Sequence, residues 1–315
     1  MLASKGANFA YLSGGAGIAL ALRVMKVRQL AGKTCLVTGA SRGLGRSMAK
    51  RFWDEGASLV LAVRNPSSVD PLVADLERAD GQSTATVRLD LQDLESARSV
   101  IDRTVAMGLE RIDVVINNAA VQGPIGKTWA ASPRAWNDAI VANLVAPAMI
   151  CRAAVSLMAR QGGGTIINLS GGGATGPRQN FSAYATAKAG LVRFSETLAE
   201  EAKSLGVAVN CVSPGPMATE MLAEIQRAGV EAAGEREVAI ARKALAGGDE
   251  PFAAAIDLCL FLASSRGRRV TGKLISALWD NWQAFPDHIA ELDASDVYTL
   301  RRITGRERGL TWSDK

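Results

Sequence analysis

The stretch KTCLVTGASRGLG, residues 33–45, decides the fold of this 315-residue chain. It begins with a short apolar and β-branched run, typical of a buried strand. It ends with Gly39, Gly43 and Gly45 in a G-x-x-x-G-x-G spacing, directly before a helical pattern. Glycines between a strand and a helix let the backbone approach a pyrophosphate closely, and the helix N-terminus offers that anion free N–H groups. The stretch therefore predicts a dinucleotide-binding turn.

Outward from this turn, the chain alternates short apolar runs with longer helical patterns. Strands that alternate with helices indicate βαβ units and a parallel sheet covered on both faces. We therefore predict an α/β fold, a single doubly wound Rossmann-type domain with a seven-stranded parallel sheet over residues 31–278. The six further strands are predicted at ASLVLAV, TATVRLD, IDVVIN, GTIINLS, GVAVNCVS and KLISAL.

Two segments flank the predicted domain, an N-terminal extension of residues 1–30 and a tail of residues 279–315. The apolar run at 9–22 is shorter than the roughly 20 residues that span a bilayer. An extension, a weak membrane anchor through residues 1–24, and an upstream start with Met25 as initiator stay open, and we favour the first and third. The tail's aromatic residues are Trp279, Trp282, Phe285, Tyr298 and Trp312. Large aromatic side chains bury extensive apolar surface, so we expect the tail to pack on the domain or on a partner subunit.

Composition argues against several functional classes. The 36 basic residues are scattered among 31 acidic ones, so we expect no nucleic-acid partner. The four cysteines lie apart in apolar runs without a CxxC pattern, which argues against a metal site and suits a reducing cytoplasm. The single histidine, His288, has no GxSxG motif to accompany it, and we interpret it as non-catalytic.

The end of the second predicted strand, LAVRN, bears on which dinucleotide binds. An acidic residue there would hydrogen-bond the ribose 2′-OH of NAD, but Val63 occupies that position and Arg64 follows it. Arg42 lies inside the glycine turn itself. Two guanidinium groups without a carboxylate suit a 2′-phosphate, so we expect NADP (NADPH) and consider NAD the less favoured cofactor.

Residues 168–188, NLSGGGATGPRQNFSAYATAK, contain a candidate acid/base pair. Tyr184 and Lys188 are four residues apart and would share one face of a helix. A free tyrosine has a pKa of about 10, too high for a base at neutral pH. A lysine ammonium roughly 4 Å away, at an effective dielectric constant near 20, would lower that pKa by at most about three, that is, to about 7. Such a tyrosine would be suited to general acid/base catalysis.

Together these motifs resemble the short-chain dehydrogenase/reductase family, in its shorter, reductase-type branch (3-oxoacyl-ACP-reductase-like). The resemblance covers about residues 32–277. It implies an NADP(H)-dependent enzyme that interconverts a ketone and a secondary alcohol by hydride transfer. The motifs that carry it, in the family's order, are TGASRGLG, the NNAA run at 117–120, Asn143 in VANLVAP, Tyr184 with Lys188, and Pro214–Gly215.

The resemblance implies a role for each matching residue. Tyr184 would be the general acid/base, and Lys188 would bind the nicotinamide ribose and lower the pKa of that tyrosine. Asn143 would support a water through which protons reach Lys188. The residues that would hold the dinucleotide are Gly39, Ser41, Arg42, Gly43, Leu44, Gly45, Arg64, Asp90, Leu91, Asn118, Ala119, Tyr184, Lys188, Pro214, Gly215 and Thr219.

The serine that orients the substrate oxygen departs from the family's pattern. It usually lies 13 residues before the tyrosine, where this chain has Gly171. Ser170 lies 14 residues before, and Gly173 and Gly176 follow it at the family's usual intervals, which suggests one inserted residue. We assign the catalytic serine to Ser170.

The substrate and the assembly are less defined. We expect residues 217–250 to form a mobile substrate lid over a site for a 3-oxoacyl thioester, a steroid-like ketone, a sugar or a secondary metabolite. Family members are commonly dimers or tetramers built on the two long helices, here 133–160 and 182–204, which implies a homodimer or homotetramer. The alternative function is a non-catalytic NADP-binding sensor or scaffold on the same fold, and an enzyme at a membrane surface is a third.

Overall fold

The computed structural model describes residues 28–76, 81–247 and 250–312. Its centre is a single seven-stranded sheet in which all neighbouring strands are parallel, in the order β3-β2-β1-β4-β5-β6-β7. This confirms the predicted doubly wound fold. The strands are β1 Thr34–Thr38, β2 Ser58–Val63, β3 Thr84–Arg88, β4 Val114–Asn117, β5 Gly164–Leu169, β6 Val207–Ser213 and β7 Leu274–Ser276.

Helices connect the strands and cover both faces of the sheet. Two hydrophobic clusters result, one on each face. The first is formed with α1, α10 and the C-terminal tail, and the second with α4, α6 and α7. The helices are α1 Gly43–Asp54, α2 Asp70–Asp75, α3 Leu94–Arg98, α4 Val100–Ala106, α5 Pro133–Ile140, α6 Ala146–Arg160, α7 Ser182–Ala202, α8 Glu220–Ala233, α9 Glu235–Leu245, α10 Glu250–Ala263 and α11 Ile289–Asp293.

The long helix predicted over 133–160 is interrupted. A π-helical turn, Val141–Val145, separates α5 from α6. Residue 147 is a proline, and proline has no N–H to donate to the carbonyl four residues earlier. That carbonyl belongs to Asn143. Single π turns inside α-helices are frequent at functional sites.

The segment predicted as a lid forms two helices, α8 and α9, which the sequence pattern did not predict. Gly229 has a φ of +74° inside α8, and Gly234 has a φ of +91° between the two helices. Both values lie in the region that favours glycine. The hairpin packs on the main domain through a small separate cluster. That cluster contains Phe181, Ile225, Ala233, Val238 and Ala241.

The C-terminal tail packs along the sheet and its covering helices. Trp282 and Phe285 are buried, with ring centroids 5.3 Å from Phe261 and 5.0 Å from Tyr298 respectively. The N–H of Leu274 in β7 donates to the carbonyl of Tyr298 at 2.7 Å, so the tail covers part of an edge strand that would otherwise offer unpaired groups.

Two tail tryptophans differ from the expectation of general burial. Trp279 is 75% exposed and Trp312 is 82% exposed. They are flanked by turns and bends rather than by a core-facing helix. The N-terminal segment, with its predicted extension or anchor, lies outside the described residues up to position 27. The domain boundaries at 31 and 278 stay predictions.

Candidate active site

The predicted site residues lie along one edge of the sheet, where the parallel strands end. The strand order reverses between β1 and β4, so the connections that leave these neighbouring strands run to opposite sides. Such a switch point opens a crevice at the carboxyl ends of the strands, where ligands of open α/β sheets bind. The glycine turn leaves β1 at this point, and residues 117–120 follow β4 beside it.

The glycine turn exposes bare backbone to this crevice. Gly39 and Gly43 have φ values of +70° and +54°, which side chains disfavour. A Cβ built on Gly45 would overlap the carbonyl oxygen of Gly39 and lie 2.5 Å from Asn118 Nδ2. The residue before α1, Arg42, makes no side-chain cap, so the first N–H groups of the helix have no partner from that side chain. Bare backbone and uncapped N–H groups fit a pyrophosphate.

Thr38, a residue that the sequence analysis missed, ties the ends of β1 and β4 together. Its Oγ1 accepts hydrogen bonds from the backbone N–H groups of Asn118 at 3.0 Å and Ala119 at 2.9 Å. Its carbonyl oxygen accepts a third from Asn118 Nδ2 at 2.9 Å. The structure thus brings Asn118 and Ala119 against the glycine turn. The available signal in the sequence was a polar residue at the end of a predicted apolar strand.

Two arginines follow the ends of neighbouring strands. Arg42 comes after β1 and Arg64 after β2, and both side chains are exposed. Within the residues that the structure describes, neither guanidinium takes part in an ion pair or hydrogen bond. Val63, at the position of a ribose-binding acid, is buried and apolar. Both guanidiniums are therefore available to an anionic ligand.

Four other predicted cofactor residues line the same edge. Ser41 is half-buried in the turn, while the side chain of Leu44 is buried in the core, so only its backbone faces the crevice. Asp90 follows β3, and its Oδ1 accepts a hydrogen bond from the N–H of Gln92 at 3.1 Å. Leu91 packs partly buried against the second hydrophobic cluster. These contacts hold the loop after β3 in place.

The loop after β6 approaches the glycine turn from the other side. Thr219 Cγ2 lies 3.8 Å from a Cβ built on Gly43. Pro214 is buried, and Gly215 has a φ of +84°. A Cβ on Gly215 would overlap Leu278 Cδ1. Leu278 follows β7, and no sequence signal assigned it to this site.

The candidate acid/base pair lies on α7, one turn apart. Tyr184 is 6% exposed and Lys188 is 2% exposed. The ammonium of Lys188 donates to the carbonyl oxygen of Leu169 at 2.7 Å, at the end of β5. It lies 5.7 Å from the centroid of the tyrosine ring. The start of α7 is held against α5, because Trp136 Nε1 donates to Ser182 Oγ at 3.1 Å.

Burial dominates the electrostatics of this pair. It lowers the pKa of Lys188 to about 8 and raises the pKa of Tyr184 above its usual value. The charge that lowers the pKa of the tyrosine is the guanidinium of Arg178, a residue that the sequence analysis did not single out. The pKa-lowering role assigned to Lys188 stays a prediction.

The residue against the Tyr184 hydroxyl is Gly171. A Cβ built on this glycine would overlap the tyrosine Oη. Ser170 is 4% exposed, and its Oγ has no hydrogen-bond partner within the described residues. The residue that touches the tyrosine is thus the one 13 positions before it. The substrate-orienting role assigned to Ser170 stays a prediction.

Arg178 forms a largely buried ion pair above the tyrosine. Its Nε and Nη2 donate to Glu237 Oε2 of α9 at 3.0 and 2.7 Å. The two side chains are 12% and 15% exposed. The guanidinium carbon lies 4.0 Å from the Phe181 ring centroid and 5.5 Å from that of Tyr184. The pair joins the α8–α9 hairpin to the loop that precedes α7.

The side chain of Asn143 is tied to the loop after β4 by two hydrogen bonds. Its Oδ1 accepts from the N–H of Val121 at 3.0 Å, and its Nδ2 donates to the carbonyl of Val121 at 2.9 Å. These two bonds fasten the π turn to the loop after β4. The backbone carbonyl of Asn143 lacks the α-helical donor because position 147 is proline.

The remaining chemistry-bearing residues lie away from this edge or are buried. His288 is half-exposed, and its Nδ1 lies 2.5 Å from Glu291 Oε2. All four cysteines are free and buried, and burial raises the pKa of Cys151, Cys211 and Cys259 to about 12. Among the described residues, no group of three or more potential ligand side chains could hold a metal ion.

Comparison with known proteins adds independent findings. A family model described as short chain dehydrogenase matches residues 33–229. The chain is 32% identical over 247 residues to the 3-oxoacyl-[acyl-carrier-protein] reductase FabG of Escherichia coli, covering 78% of this chain and 95% of that protein. It is 30% identical over 259 residues to the short chain dehydrogenase/reductase dpchG of Colletotrichum higginsianum, covering 80% and 94%. A solved structure described as a short chain dehydrogenase of Shigella flexneri complexed with NADP matches with a TM-score of 0.67 at 26% identity, covering 80% and 99%.

Proposed function

The chain belongs to the short-chain dehydrogenase/reductase family, and from that premise we propose that it is an NADP(H)-dependent enzyme interconverting a ketone and a secondary alcohol. The observation that carries the proposal is the buried Tyr184–Lys188 pair on α7, beside the carboxyl ends of β4 and β5. A hydroxyl and an ammonium withdrawn from water at a ligand-binding edge are groups suited to proton transfer.

The cofactor we propose is NADP. The glycine turn and the start of α1 would hold the pyrophosphate, and Arg42 and Arg64 would bind the 2′-phosphate, because both guanidiniums are exposed and unpaired within the described chain. Asp90, Asn118 and Thr219 would line the rest of the dinucleotide. When bound, the nicotinamide supplies or accepts the hydride. The NADP complex of the Shigella flexneri relative supports this choice.

The proton route uses groups of this chain. Tyr184 would give its proton to the oxygen of the reduced carbonyl, and Lys188 would hold the ribose hydroxyls and pass a proton to the tyrosine. Ser170 would orient the substrate oxygen. The carbonyl of Asn143, which lacks its α-helical donor because residue 147 is proline, would hold the relay water. With a pKa of about 8, the lysine can gain and lose a proton near neutral pH.

The test is NADPH oxidation by purified full-length protein against a ketone panel that includes 3-oxoacyl thioesters. We expect turnover of at least one ketone and its loss in Tyr184→Phe. Turnover that persists in this variant would place the acid/base elsewhere. The panel would also begin to define the substrate, which the residues of the site leave open.

One observation favours a second candidate, a non-catalytic NADP-binding sensor or scaffold. No serine hydroxyl bonds the Tyr184 hydroxyl, since Gly171 occupies the adjacent position and Ser170 Oγ has no partner among the described residues. A sensor would bind NADPH tightly and reduce no ketone at any pH. Equilibrium binding of NADPH, measured beside the panel, separates the two functions.

We also propose the assembly, the domain limits and the location of the protein. A homodimer or homotetramer would form through α5, α6 and α7, since the helical stretch 133–160 is strongly apolar and only partly covered within one chain.

The catalytic domain would comprise residues 31–278, with the tail of 279–315 packed on it. Four buried free thiols support a reducing, cytoplasmic environment. Size-exclusion chromatography with light scattering tests the assembly.

A further inference from the structure

The guanidinium of Arg178 lies beside the proposed acid/base and takes no part in the proposed cofactor site. Its carbon atom is 5.5 Å from the centroid of the Tyr184 ring and 4.0 Å from that of Phe181. The side chain is only 12% exposed. Removing a charge from water costs free energy that pairing has to offset, so this placement of a cation at the substrate side needs an explanation.

The glycine run at 171–173 makes room for this arginine. A Cβ on Gly172 would lie 3.5–3.6 Å from the Nε, Cδ and Cζ atoms of Arg178. A Cβ on Gly173 would lie 3.1 Å from Arg178 Cβ, and this glycine has a φ of +93°. The arginine therefore lies along bare backbone, next to the glycine that touches the tyrosine hydroxyl.

The hydrogen-bonding capacity of the guanidinium is only partly used. A guanidinium has five N–H donors. Two of them, on Nε and Nη2, point at one oxygen of Glu237, Oε2. Arginine and carboxylate often form a two-oxygen fork instead. Glu237 is the only hydrogen-bond partner of the Arg178 side chain in the described parts of the chain, which leaves donors for a second anionic group.

The present partner of Arg178 comes from a separate element, the α8–α9 hairpin. Glu237 lies on α9, just after Gly234 with its φ of +91°. The hairpin of α8 and α9 packs over Phe181 through Ile225 and Val238. Because this hairpin is a separate element, a displacement of α9 would carry the Glu237 carboxylate away from Arg178.

We propose that Arg178 is the substrate-recognition residue of this site and binds an anionic group of the substrate, with Glu237 occupying that place when the site is empty. The inference rests on the proposed reductase function and narrows its substrates to ketones that carry an anionic group within a few bonds of the reacting carbonyl. The simplest such substrate is a 3-oxo acid. Its carboxylate would exchange with that of Glu237, and its ketone would lie against the tyrosine hydroxyl.

The test compares acetoacetate with its uncharged methyl ester as substrates for NADPH oxidation by the full chain. We expect a kcat/KM at least about tenfold higher for the acid, as a charge-assisted pair warrants. Arg178→Gln should lower the acid-to-ester ratio of kcat/KM about tenfold, and the ratio is the readout because this guanidinium also lowers the pKa of Tyr184 and would affect both substrates alike through it. Glu237→Gln should lower KM for the acid. The matched control is Arg269→Gln, at an exposed arginine before β7 and away from the site and the proposed subunit interface.

A binding measurement keeps the inference testable without turnover. Malonate is titrated calorimetrically into the NADP⁺-loaded protein, and we expect binding in the wild type and none in Arg178→Gln. If the wild type prefers the ester, or if Arg178→Gln lowers both substrates equally, the ion pair only fastens the lid and the inference is wrong. Tyr184-dependent turnover of the ester without malonate binding would overturn this inference alone, whereas failure to bind NADPH would overturn the proposed function itself.

Discussion

The nucleotide half and the substrate half of the site are built by different means. At the nucleotide half, backbone packs closely on backbone and is held by short polar side chains. Gly45 packs on the Gly39 carbonyl, and Thr38 holds the residues after β4 by three hydrogen bonds. At the substrate half, side chains of separate segments meet. The Arg178–Glu237 pair joins residues 59 positions apart in the chain.

This difference has a physical consequence. Contacts between neighbouring strand ends are set by the sheet register and tolerate little change, because the backbone atoms cannot move independently. Contacts between a loop and a separate helical hairpin can open and reform more easily, since few backbone hydrogen bonds cross between them. We therefore expect the nucleotide half to determine affinity for the cofactor and the substrate half to determine specificity.

The largest expected effect separates the two halves by their chemistry. Tyr184→Phe removes one hydroxyl, and we expect kcat at neutral pH to fall by about a thousandfold, in the range of general acid/base catalysis. The dissociation constant of NADPH should change by less than about threefold. Stopped-flow turnover and fluorescence titration measure the two quantities. An equal loss in both would show that the halves are not independent.

A second change tests the rigidity of the nucleotide half. Gly45→Ala would place a Cβ on the Gly39 carbonyl oxygen, and the backbone shift should weaken NADPH binding by about 2–3 kcal/mol, roughly 30- to 150-fold. Gly176→Ala is the matched control, because nothing lies within 4 Å of a Cβ built on it and its φ lies outside the region that favours glycine. Unchanged affinity in Gly45→Ala would contradict the proposed cradle.

A third change concerns the stability of the substrate half. Burial lowers the pKa of Lys188 to about 8. Below pH 8 the folded protein therefore carries this charge in a buried position, whereas in the unfolded chain the same charge is hydrated. The unfolded state binds more protons between pH 8 and 10.5, so this group makes stability rise with pH there. Lys188→Met should raise the free energy of unfolding at pH 7 by up to about 3 kcal/mol, while activity is lost.

Urea unfolding of the wild type and of Lys188→Met at pH 7 and pH 10 measures this gain, which should shrink at the higher pH. The exposed Lys203 in the turn after α7 supplies the control variant, Lys203→Met. A gain that stays constant with pH would mean that the methionine stabilises by packing alone.

The smallest effect sharpens the identity of the cofactor. Arg64→Gln removes one guanidinium that is unpaired within the described chain, and we expect about a tenfold weaker affinity for NADPH, as one charge-assisted contact predicts. Affinity for NADH, which lacks the phosphate, should stay the same. Arg46→Gln on α1, where the arginine is already paired with Asp75 at 3.1 Å, is the control. Equal losses for both dinucleotides would argue against a 2′-phosphate site.

The sequence by itself predicted the parallel sheet, the glycine turn and the family, because these follow from local spacing. Alternating apolar strands and helices specify their own positions, and TGASRGLG combines a strand end, a turn and a helix start in eight residues. The pair Tyr184 and Lys188 needed only the helical period to share a face. The predicted bounds of the strands agree with the observed ones to within about two residues, because short apolar runs are buried as a whole.

Tertiary structure alone decided which groups surround the tyrosine. Whether Ser170 or Gly171 touches its hydroxyl depends on how the loop leaves β5, which residue spacing does not determine. The contact between Arg178 and Glu237 depends on how the α8–α9 hairpin packs on Phe181. Such contacts join distant parts of the chain and leave no periodic signal in either one, so they become visible only when the chain is folded.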